Sequence, residues 1–220
     1  KKYQYDKNRI SILDAKDVIS CNDTPTVAIR QMKESSLVKS LELLHSDESV
    51  KALVSIGSTG AVLAGAVMKV GRIKGVKRPA FCPILPTMNK SIVGVCDSGA
   101  NVDCEPYYLQ QFALMGTLYM QKCYNIEKPR VALLNIGTEE EKGDQLRKET
   151  YQLLKNSSSI NFVGNMESRD LLSGNYDLVV CDGFSGNVLI KSTEGTALEL
   201  MKLLKKSFTS NLKNKIGALI

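Results

Sequence analysis

Residues 178–187 read LVVCDGFSGN, a short apolar run that ends in a turn of small and polar residues. The same pattern occurs three more times, as VKALVSIGSTGA at 50–61, IVGVCDSGAN at 92–101 and VALLNIGTEEEKG at 131–143. Each turn precedes a helical pattern, so the four runs are predicted to be strands of βα units. Strands that alternate with helices form a mostly parallel sheet covered on both faces. The pattern therefore predicts an α/β fold.

The four turns are predicted to form one site for an anionic group. The carboxyl ends of parallel strands meet at one edge of an open sheet, where α/β folds bind ligands. Glycine lets the backbone approach a ligand, and the N–H groups and dipole of a following helix favour negative charge. No turn matches the G-x-G-x-x-G or P-loop fingerprint of nucleotide-binding proteins. An ordinary βα connection explains each turn alone, but the set of four favours a phosphate-like ligand.

Side chains in these turns supply the candidate site residues. The asparagines can donate side-chain amides, Lys142 is the only cation inside a turn, and the aspartates can orient these groups or cap helices. The acidic run at 139–141 is interpreted as a solvated helix start. The predicted catalytic residues are Asp97, Asn101, Lys142, Asp182 and Asn187, and the predicted phosphate- or substrate-binding residues are Gly57, Ser58, Thr59, Gly60, Asn135, Gly137, Thr138, Gly183, Ser185 and Gly186.

Composition restricts the class of protein. The chain has 220 residues, of which 43% are hydrophobic and 24% charged, as is typical of globular proteins. No apolar run is long enough to span a bilayer, and the first residues do not form a secretory signal. The net charge of +6 is modest and the basic residues are not interleaved with aromatics, so nucleic-acid binding is not expected.

Six cysteines and one histidine bear on metal binding and nucleophilic catalysis. The cysteines form no C-x-x-C pair, and a single histidine supplies few ligands, so we expect no metal site. His45 follows an apolar helical run and is interpreted as a surface or helix-end residue rather than a catalytic base. Reduced thiols in a cytoplasmic protein are the simplest account of the cysteines.

The rest of the chain is divided into elements by proline and glycine. No linker or repeat interrupts it, so one α/β domain is predicted over residues 1–220. The chain starts without methionine and stops within an apolar pattern, so we expect it to be the central part of a longer protein. Strands are predicted at 9–13, 50–54, 92–96, 131–134, 161–164 and 176–181, and an extended segment at 80–85. Helices are predicted at 26–39, with a second helical stretch to about residue 45, at 61–70, 106–124 and 144–155, and from 191 to the end.

The last helix carries an apolar stripe beside several lysines. Its apolar residues recur every three or four positions, and they are Ala197, Met201, Leu204, Phe208, Leu212, Ile216, and Leu219 or Ile220. The spacing favours a helix that packs on the core or on a partner subunit. The alternative is a basic amphipathic segment, residues 204–220, that contacts an anionic membrane surface.

Seven motifs stand in a characteristic order. They are GSTGA at 57–61, VGRIKG at 70–75 with RP at 78–79, LPT at 85–87, DSGAN at 97–101, LNIGTE at 134–139 with KG at 142–143, NFVGN at 161–165 and DGFSGNV at 182–188. Together they resemble the bacterial phosphate acyltransferases, the acyl-ACP:phosphate acyltransferases of phospholipid synthesis. The resemblance covers nearly the whole chain. It implies a Rossmann-like α/β/α sandwich, related to phosphate acetyltransferase and isocitrate dehydrogenase, that is usually a homodimer.

The resemblance also implies a reaction without a cofactor. Inorganic phosphate attacks the thioester of a long-chain acyl carrier protein and gives acyl phosphate and free carrier protein. Phosphate is already an anionic nucleophile at neutral pH, so a Ser-His-Asp arrangement is not needed. The reaction needs positioned reactants and stabilisation of the oxyanion. Two alternatives remain open, an NAD-dependent dehydrogenase of the isocitrate type and a non-catalytic module that binds phosphate or acyl groups.

Overall fold

A five-stranded sheet organises the residues from Ala80 onward in a computed structural model of the chain, which describes residues 6–210. The strand order is β1-β2-β5-β3-β4. The first strand runs antiparallel to the second, and all other neighbours are parallel. The strands are β1 (Ile84–Pro86), β2 (Ile92–Cys96), β3 (Val131–Asn135), β4 (Phe162–Glu167) and β5 (Leu178–Val180). The predicted mostly parallel sheet is therefore confirmed.

Helices cover both faces of this sheet. The helices from Ala80 onward are α4 (Pro106–Tyr124), α5 (Gln145–Lys155) and α6 (Gly183–Thr209). The residues before Ala80 contain α1 (Pro25–Gln31), α2 (Ser36–Ser46) and α3 (Thr59–Gly65). Short 3₁₀ or π turns lie at Lys7–Arg9, Ala66–Val70 and Ser168–Asp170. Within residues 6–210, no helix combines the length and the apolar character that crossing a membrane requires.

Alternate residues of the central strands enter two separate cores. On one face, Val131 and Leu133 of β3 pack with the buried side of α4, including Phe112. On the other, Ala132 and Leu134 join a core that α6 completes. All five residues of β3 are buried, which is typical of a parallel strand between two helical layers. The result is the predicted α/β/α sandwich, in which each fully buried large side chain contributes roughly 1.5–3 kcal/mol.

The residues before Ala80 form a second compact unit with its own small core. Helices α1, α2 and α3 surround Ile29, Val38 and Leu41. The strand predictions at 9–13 and 50–54 are wrong, because both segments are irregular and no strand occurs among residues 6–79. Ile12 is 93% exposed. An alternating pattern needs a hydrogen-bonding neighbour to become a strand, and neither segment has one. One domain over residues 1–220 stays a prediction.

Several helix boundaries differ from those expected. The helix predicted at 26–39 divides after Gln31, because Ser35 starts α2 by accepting a hydrogen bond from the Val38 N–H at 3.4 Å. Residues 139–141 form a turn rather than a helix start, since α5 begins only after Asp144. Helix α6 begins at Gly183, eight residues before the predicted start at Lys191.

The far end of α6 carries the apolar stripe of the last helix. Its buried residues end at Ile190, and from Glu194 to Thr209 its side chains are exposed. The stripe therefore does not enter a core of the described chain. The remaining stripe residues, Leu212, Ile216, Leu219 and Ile220, lie outside the described residues.

Candidate functional site

Three of the four predicted turns meet at one edge of the sheet. Strand β5 lies between β2 and β3, so the turns that follow these strands, 97–101, 182–187 and 135–143, are neighbours. Backbone hydrogen bonds join the first two directly. The Asp97 N–H donates to the Cys181 carbonyl at 2.9 Å, and the Gly183 N–H donates to the Asn101 carbonyl at 2.7 Å. The sheet edge therefore brings together the predicted catalytic aspartates and asparagines.

The fourth turn lies in the unit before Ala80. There, Ser58 caps α3 by accepting from the Ala61 N–H at 3.4 Å. The Gly57 N–H donates to the Ser55 hydroxyl at 3.2 Å, and Thr59 and Gly60 form the first turn of the seven-residue helix. A role of these four residues in the site stays a prediction.

Asp97 organises the turn that follows β2. Its carboxylate is fully buried, and Oδ1 accepts from the Phe81 N–H at 2.9 Å and the Ala100 N–H at 3.2 Å. Oδ2 accepts from both the backbone N–H and the side-chain amide of Asn101, at 2.7 and 2.9 Å. Asp97 thus orients an amide, as the sequence suggested, and the partner is Asn101.

Arg147 links the start of α6 to α5. It donates through Nη2 to the Asp182 carboxylate and to the Ser185 hydroxyl, the latter at 2.9 Å, and through Nη1 to Asp144 at 2.9 Å. Asp182 also caps α6, because Oδ1 accepts from the Ser185 N–H at 2.8 Å. The Arg147 side chain is only 14% exposed.

Sequence reasoning missed Arg147 although a signal was present. Asp144 was a predicted helix start, and a residue three positions later lies on the same face of the helix as the cap. That face points toward the strand ends, where an arginine meets the carboxylate of Asp182. Asp182 was expected to orient Lys142 or an amide, or to cap a helix; it caps α6 and pairs with Arg147 rather than with Lys142 or an amide.

The turn after β3 is closed by Asn135. Its side-chain amide donates to the Lys142 carbonyl at 3.0 Å, and its Oδ1 accepts from the Ile136 N–H at 2.8 Å. Gly143 has a φ of +91°, and a Cβ there would lie 2.5 Å from the Asn135 Oδ1. Only glycine combines this left-handed conformation with such a close approach. Asn135 therefore fixes the backbone that carries Lys142.

The Lys142 side chain extends from this turn over buried Gly137. Its Cγ would lie 3.0 Å from a Cβ built on Gly137. The residue is exposed, as is Thr138, and none of the ion pairs within residues 6–210 involves Lys142. Lys142 lines neither of the two clefts described below, and the Glu139 carboxylate also lies beside Gly137.

Glycines at the start of α6 permit contact with protein backbone. A Cβ on Gly186 would overlap the Asp97 carbonyl oxygen, so the helix can approach the turn at 97–101 only with glycine there. The N–H groups of Gly183, Ser185 and Gly186 already donate to Asn101 and Asp182. These groups fix the helix against the turn.

Asn187 lies one helical turn further along α6. It is exposed, and its amide donates to the Ser98 carbonyl at 3.4 Å, a long hydrogen bond. The side-chain amides of Asn187 and Asn101 thus both donate to residues of the turn at 97–101. Asn187 is the more accessible of the two amides.

Two clefts open on either side of Arg147. The larger has a volume of about 620 Å³ and lies between α6 and the turn after β3. The smaller, of about 320 Å³, lies between α6 and residues 102–104. Arg147, Phe184 and Ser185 line both clefts. The larger cleft has polar groups at Arg147, Asn135, Ser185 and Asp144, the last paired with Arg147, and an apolar wall that consists of Leu134, Phe184, Val188 and Leu189.

The thiols at this edge are not activated as nucleophiles. Burial raises the pKa of Cys104 to about 11 and raises the pKa of Cys181 as well. The hydrogen bond with Cys82, together with burial, raises the pKa of Cys96. All three therefore stay protonated at neutral pH, whereas the reactive form of cysteine is the thiolate. The part of the chain that the structure describes holds no group of three or more His, Cys, Asp or Glu side chains able to bind a metal ion.

Comparison with known sequences gives a consistent set of relatives. A family model described as "Fatty acid synthesis protein" matches residues 1–220. Proteins named phosphate acyltransferase from Clostridium acetobutylicum, Clostridium tetani and Dictyoglomus thermophilum are 51%, 49% and 48% identical over 220, 215 and 216 residues. These alignments cover 100%, 98% and 98% of this chain but 66%, 64% and 64% of the relatives. The chain thus spans slightly less than two thirds of their length.

Two solved structures resemble the fold. A phosphotransacetylase from Streptococcus pyogenes is 18% identical, with a TM-score of 0.50. The alignment covers 65% of this chain and 49% of the phosphotransacetylase chain. The EutD phosphotransacetylase from Staphylococcus aureus is 15% identical, with a TM-score of 0.57. Here the alignment covers 74% of this chain and 56% of the EutD chain. At such low identity the likeness concerns the fold alone, and it confirms the predicted Rossmann-like architecture.

Proposed function

Since this chain belongs to the fatty acid synthesis protein family, we propose that the protein transfers an acyl group to inorganic phosphate. The observation that carries the proposal is the meeting of three polar turns beside a cleft with a polar and an apolar end. This combination suits a substrate with an anionic group next to a hydrocarbon chain. The relatives named phosphate acyltransferase support the same reaction.

The proposed donor is the thioester of a long-chain acyl carrier protein. A phosphate oxygen attacks the thioester carbonyl, so that a C–O bond forms and the carbonyl oxygen becomes an oxyanion. When this intermediate collapses, the C–S bond breaks and the sulfur leaves as a thiolate, which takes a proton from water. The products are acyl phosphate and the free carrier thiol. No covalent enzyme intermediate is required, in agreement with the raised pKa values of the thiols.

The residues of the sheet edge are assigned roles in this reaction. Lys142 neutralises the incoming phosphate, because it is exposed on a turn that Asn135 holds in place. The amides of Asn101 and Asn187 donate to the oxyanion, a contribution that depends on fixed orientation before the reaction. Asp97 supplies this orientation for Asn101. Asp182 and Arg147 are positioning residues that hold Ser185 and the start of α6.

We further propose that the protein is a cytoplasmic homodimer with peripheral contact to membranes. The exposed apolar side chains on the outer half of α6 support the contact with lipid, and the homodimer is what the resemblance to phosphate acyltransferases implies. An acyl phosphate product is lipophilic, so delivery near a membrane suits its chemistry.

Release of thiol from acyl carrier protein tests the proposal. The full-length protein is incubated with palmitoyl carrier protein, with and without inorganic phosphate and without any nicotinamide, and free thiol is measured. We expect release only with phosphate. Release without phosphate would indicate a thioesterase. No release, with retained binding of palmitoyl carrier protein, would favour the non-catalytic module, and activity only with nicotinamide would favour the dehydrogenase.

A further inference from the structure

The larger cleft beside Arg147 continues into a second groove along α6. This second cleft, with a volume of about 430 Å³, shares Ser168, Leu189 and Ser192 with the first. The two clefts are therefore adjacent along α6, and together we call them the channel. We call the second part the tail groove, lined by Leu171, Leu172, Leu189, Ser192, Thr196 and Ala197.

One face of α6 forms the floor of the channel. Ser185, Leu189, Ser192 and Thr196 follow one another at intervals of three or four residues, which places them on the same side of the helix. The short side chains of Ser192, Thr196 and Ala197 leave the space that the groove occupies. From Ser185 to Ala197 the helix rises by about 18 Å, at about 1.5 Å per residue. A long hydrocarbon chain fits this length.

The chemistry of the channel changes from one end to the other. At the sheet edge it begins with the hydrogen-bonding groups of Arg147 and Ser185. Further along, Leu171 and Leu189 supply buried apolar walls. The one charged residue lining the tail groove is Arg169, which pairs with Glu167 at 2.6 Å and whose side chain is 76% exposed. The channel thus suits an apolar tail attached to a polar head.

We propose that the tail groove binds the acyl chain of the substrate and sets its preferred length. The polar end of the acyl group then lies at the sheet edge, and the methyl end of the chain lies toward Ala197. This inference rests on the proposed function, because that function identifies the occupant as an acyl group. The residues that line the tail groove determine which chain length the protein prefers. Each methylene that the groove removes from water tightens binding by up to about fourfold.

Alkylphosphonates test the groove without requiring turnover. Dodecylphosphonate, below its micelle concentration, and butylphosphonate have the same head and differ in the tail. Their dissociation constants for the full-length protein are measured by calorimetry. We expect dodecylphosphonate to bind wild-type protein at least about tenfold more tightly. An equal affinity of the two ligands would overturn the proposal.

Two substitutions locate the binding to the groove. Ser192→Leu narrows the channel where the two clefts join, and Ala197→Phe fills its far end. We expect both to reduce the dodecyl-to-butyl affinity ratio, Ser192→Leu more strongly because it lies closer to the head. Leu198→Phe is the matched control, since Leu198 is 62% exposed and points away from the groove.

The outcomes separate this inference from the proposed function. If the ratio is unchanged in both groove variants, or falls equally in Leu198→Phe, the groove assignment is wrong even where phosphate-dependent thiol release occurs. If the ratio falls only in the groove variants while no thiol is released, the groove binds acyl chains and the proposed reaction is wrong. The thermal midpoint of each variant shows whether it is folded, and either groove variant alone suffices for the test.

Discussion

The carboxylate of Asp97 holds both the backbone N–H and the side-chain amide of Asn101, at 2.7 and 2.9 Å. The same carboxylate accepts from Phe81 and Ala100 on its other oxygen. A fully buried aspartate with four donors fixes the turn that follows β2. Its effect is to aim the Asn101 amide, which is one of the proposed oxyanion donors.

Asp97→Asn tests this orientation. The amide that replaces Oδ1 or Oδ2 faces hydrogen-bond donors, so at least one partner loses its acceptor. Loss of a hydrogen bond to a charged group costs about 1.5–3 kcal/mol, so kcat should fall on the order of tenfold to a hundredfold. KM for phosphate should change much less. Asp103→Asn, at an exposed position two residues beyond Asn101, is the control and should retain activity. A normal kcat in Asp97→Asn would refute the positioning role.

Lys142→Ala should weaken phosphate binding. The side chain is exposed and has no ion-pair partner among residues 6–210, so its removal should leave the thermal midpoint nearly unchanged. A lost charge-assisted contact is worth about 1.5–3 kcal/mol, which corresponds to at least about a tenfold rise in KM for phosphate. KM for acyl carrier protein should rise less. Lys148→Ala on the exposed side of α5 is the matched control. An unchanged KM for phosphate would contradict the assignment of Lys142.

Arg147→Met should destabilise the protein. Asp182 is only 7% exposed in its side chain, and without Arg147 its carboxylate keeps only the α6 cap and Ser185. Removing one partner of a buried pair costs about 3–5 kcal/mol, and the partial exposure of Asp144 and Arg147 reduces this to about 2–3 kcal/mol. The thermal midpoint should therefore fall by several degrees. Arg169→Met removes an exposed pair and should cost less than about 1 kcal/mol. An equal fall in the thermal midpoint for the two substitutions would show that the Arg147–Asp182 pair stabilises the fold no more than an exposed pair does.

The pair of Arg130 and Asp177 predicts a pH dependence of stability. Burial alone would raise the pKa of Asp177, but hydrogen bonds from the Arg130 side chain and backbone lower it overall. These bonds measure 2.7 to 2.9 Å. A lowered folded pKa means that the stabilisation is present above the unfolded pKa, about 3.9, and is lost as the pH falls through the folded value.

Thermal unfolding of Asp177→Asn against wild type measures this dependence. The variant should melt at a lower temperature than wild type near neutral pH. The difference between the two thermal midpoints should narrow below about pH 4, because wild-type Asp177 takes up a proton there. Asp103→Asn, at an exposed position, is the control substitution. A difference that stays constant through acid pH would show that the ionised form of Asp177 is not the source of the stability.

The strand-turn patterns were sufficient to predict the sheet edge, because buried parallel strands leave a strong local signal. The runs at β2, β3 and β5 are short, apolar and followed by turn residues, and all three became adjacent strands. The run at 50–54 has the same local pattern but is irregular. Local composition does not reveal whether a second strand is available to pair, which is the property that separates these cases.

The sequence indicated which residues meet at the sheet edge but not the contacts between them, and their role as a site stays a prediction. Asp97 and Asp182 were recognised as groups that orient others, but which partner each one holds depends on tertiary packing. Arg147 lies near the start of a helix that the sequence predicts, but only the meeting of the starts of α5 and α6 at the sheet edge brings it to Asp182. Glycines interpreted as ligand contacts also permit contact between the two turns, as at Gly186.

The outer half of α6 gives the last prediction. Met201, Leu204 and Phe208 are 64%, 41% and 53% exposed on one stripe, beside lysines that favour an anionic surface. Each lysine near such a surface contributes about 1 kcal/mol, so several together support reversible binding without a spanning segment. Replacing the three stripe residues by serine in the full-length protein should abolish sedimentation with phosphatidylglycerol vesicles and leave the dimer intact. Leu203→Ser, on another face of the helix and 61% exposed, should still sediment. If the triple variant binds vesicles, or if it dissociates to monomers, the stripe is an interface between subunits and the membrane contact is wrong.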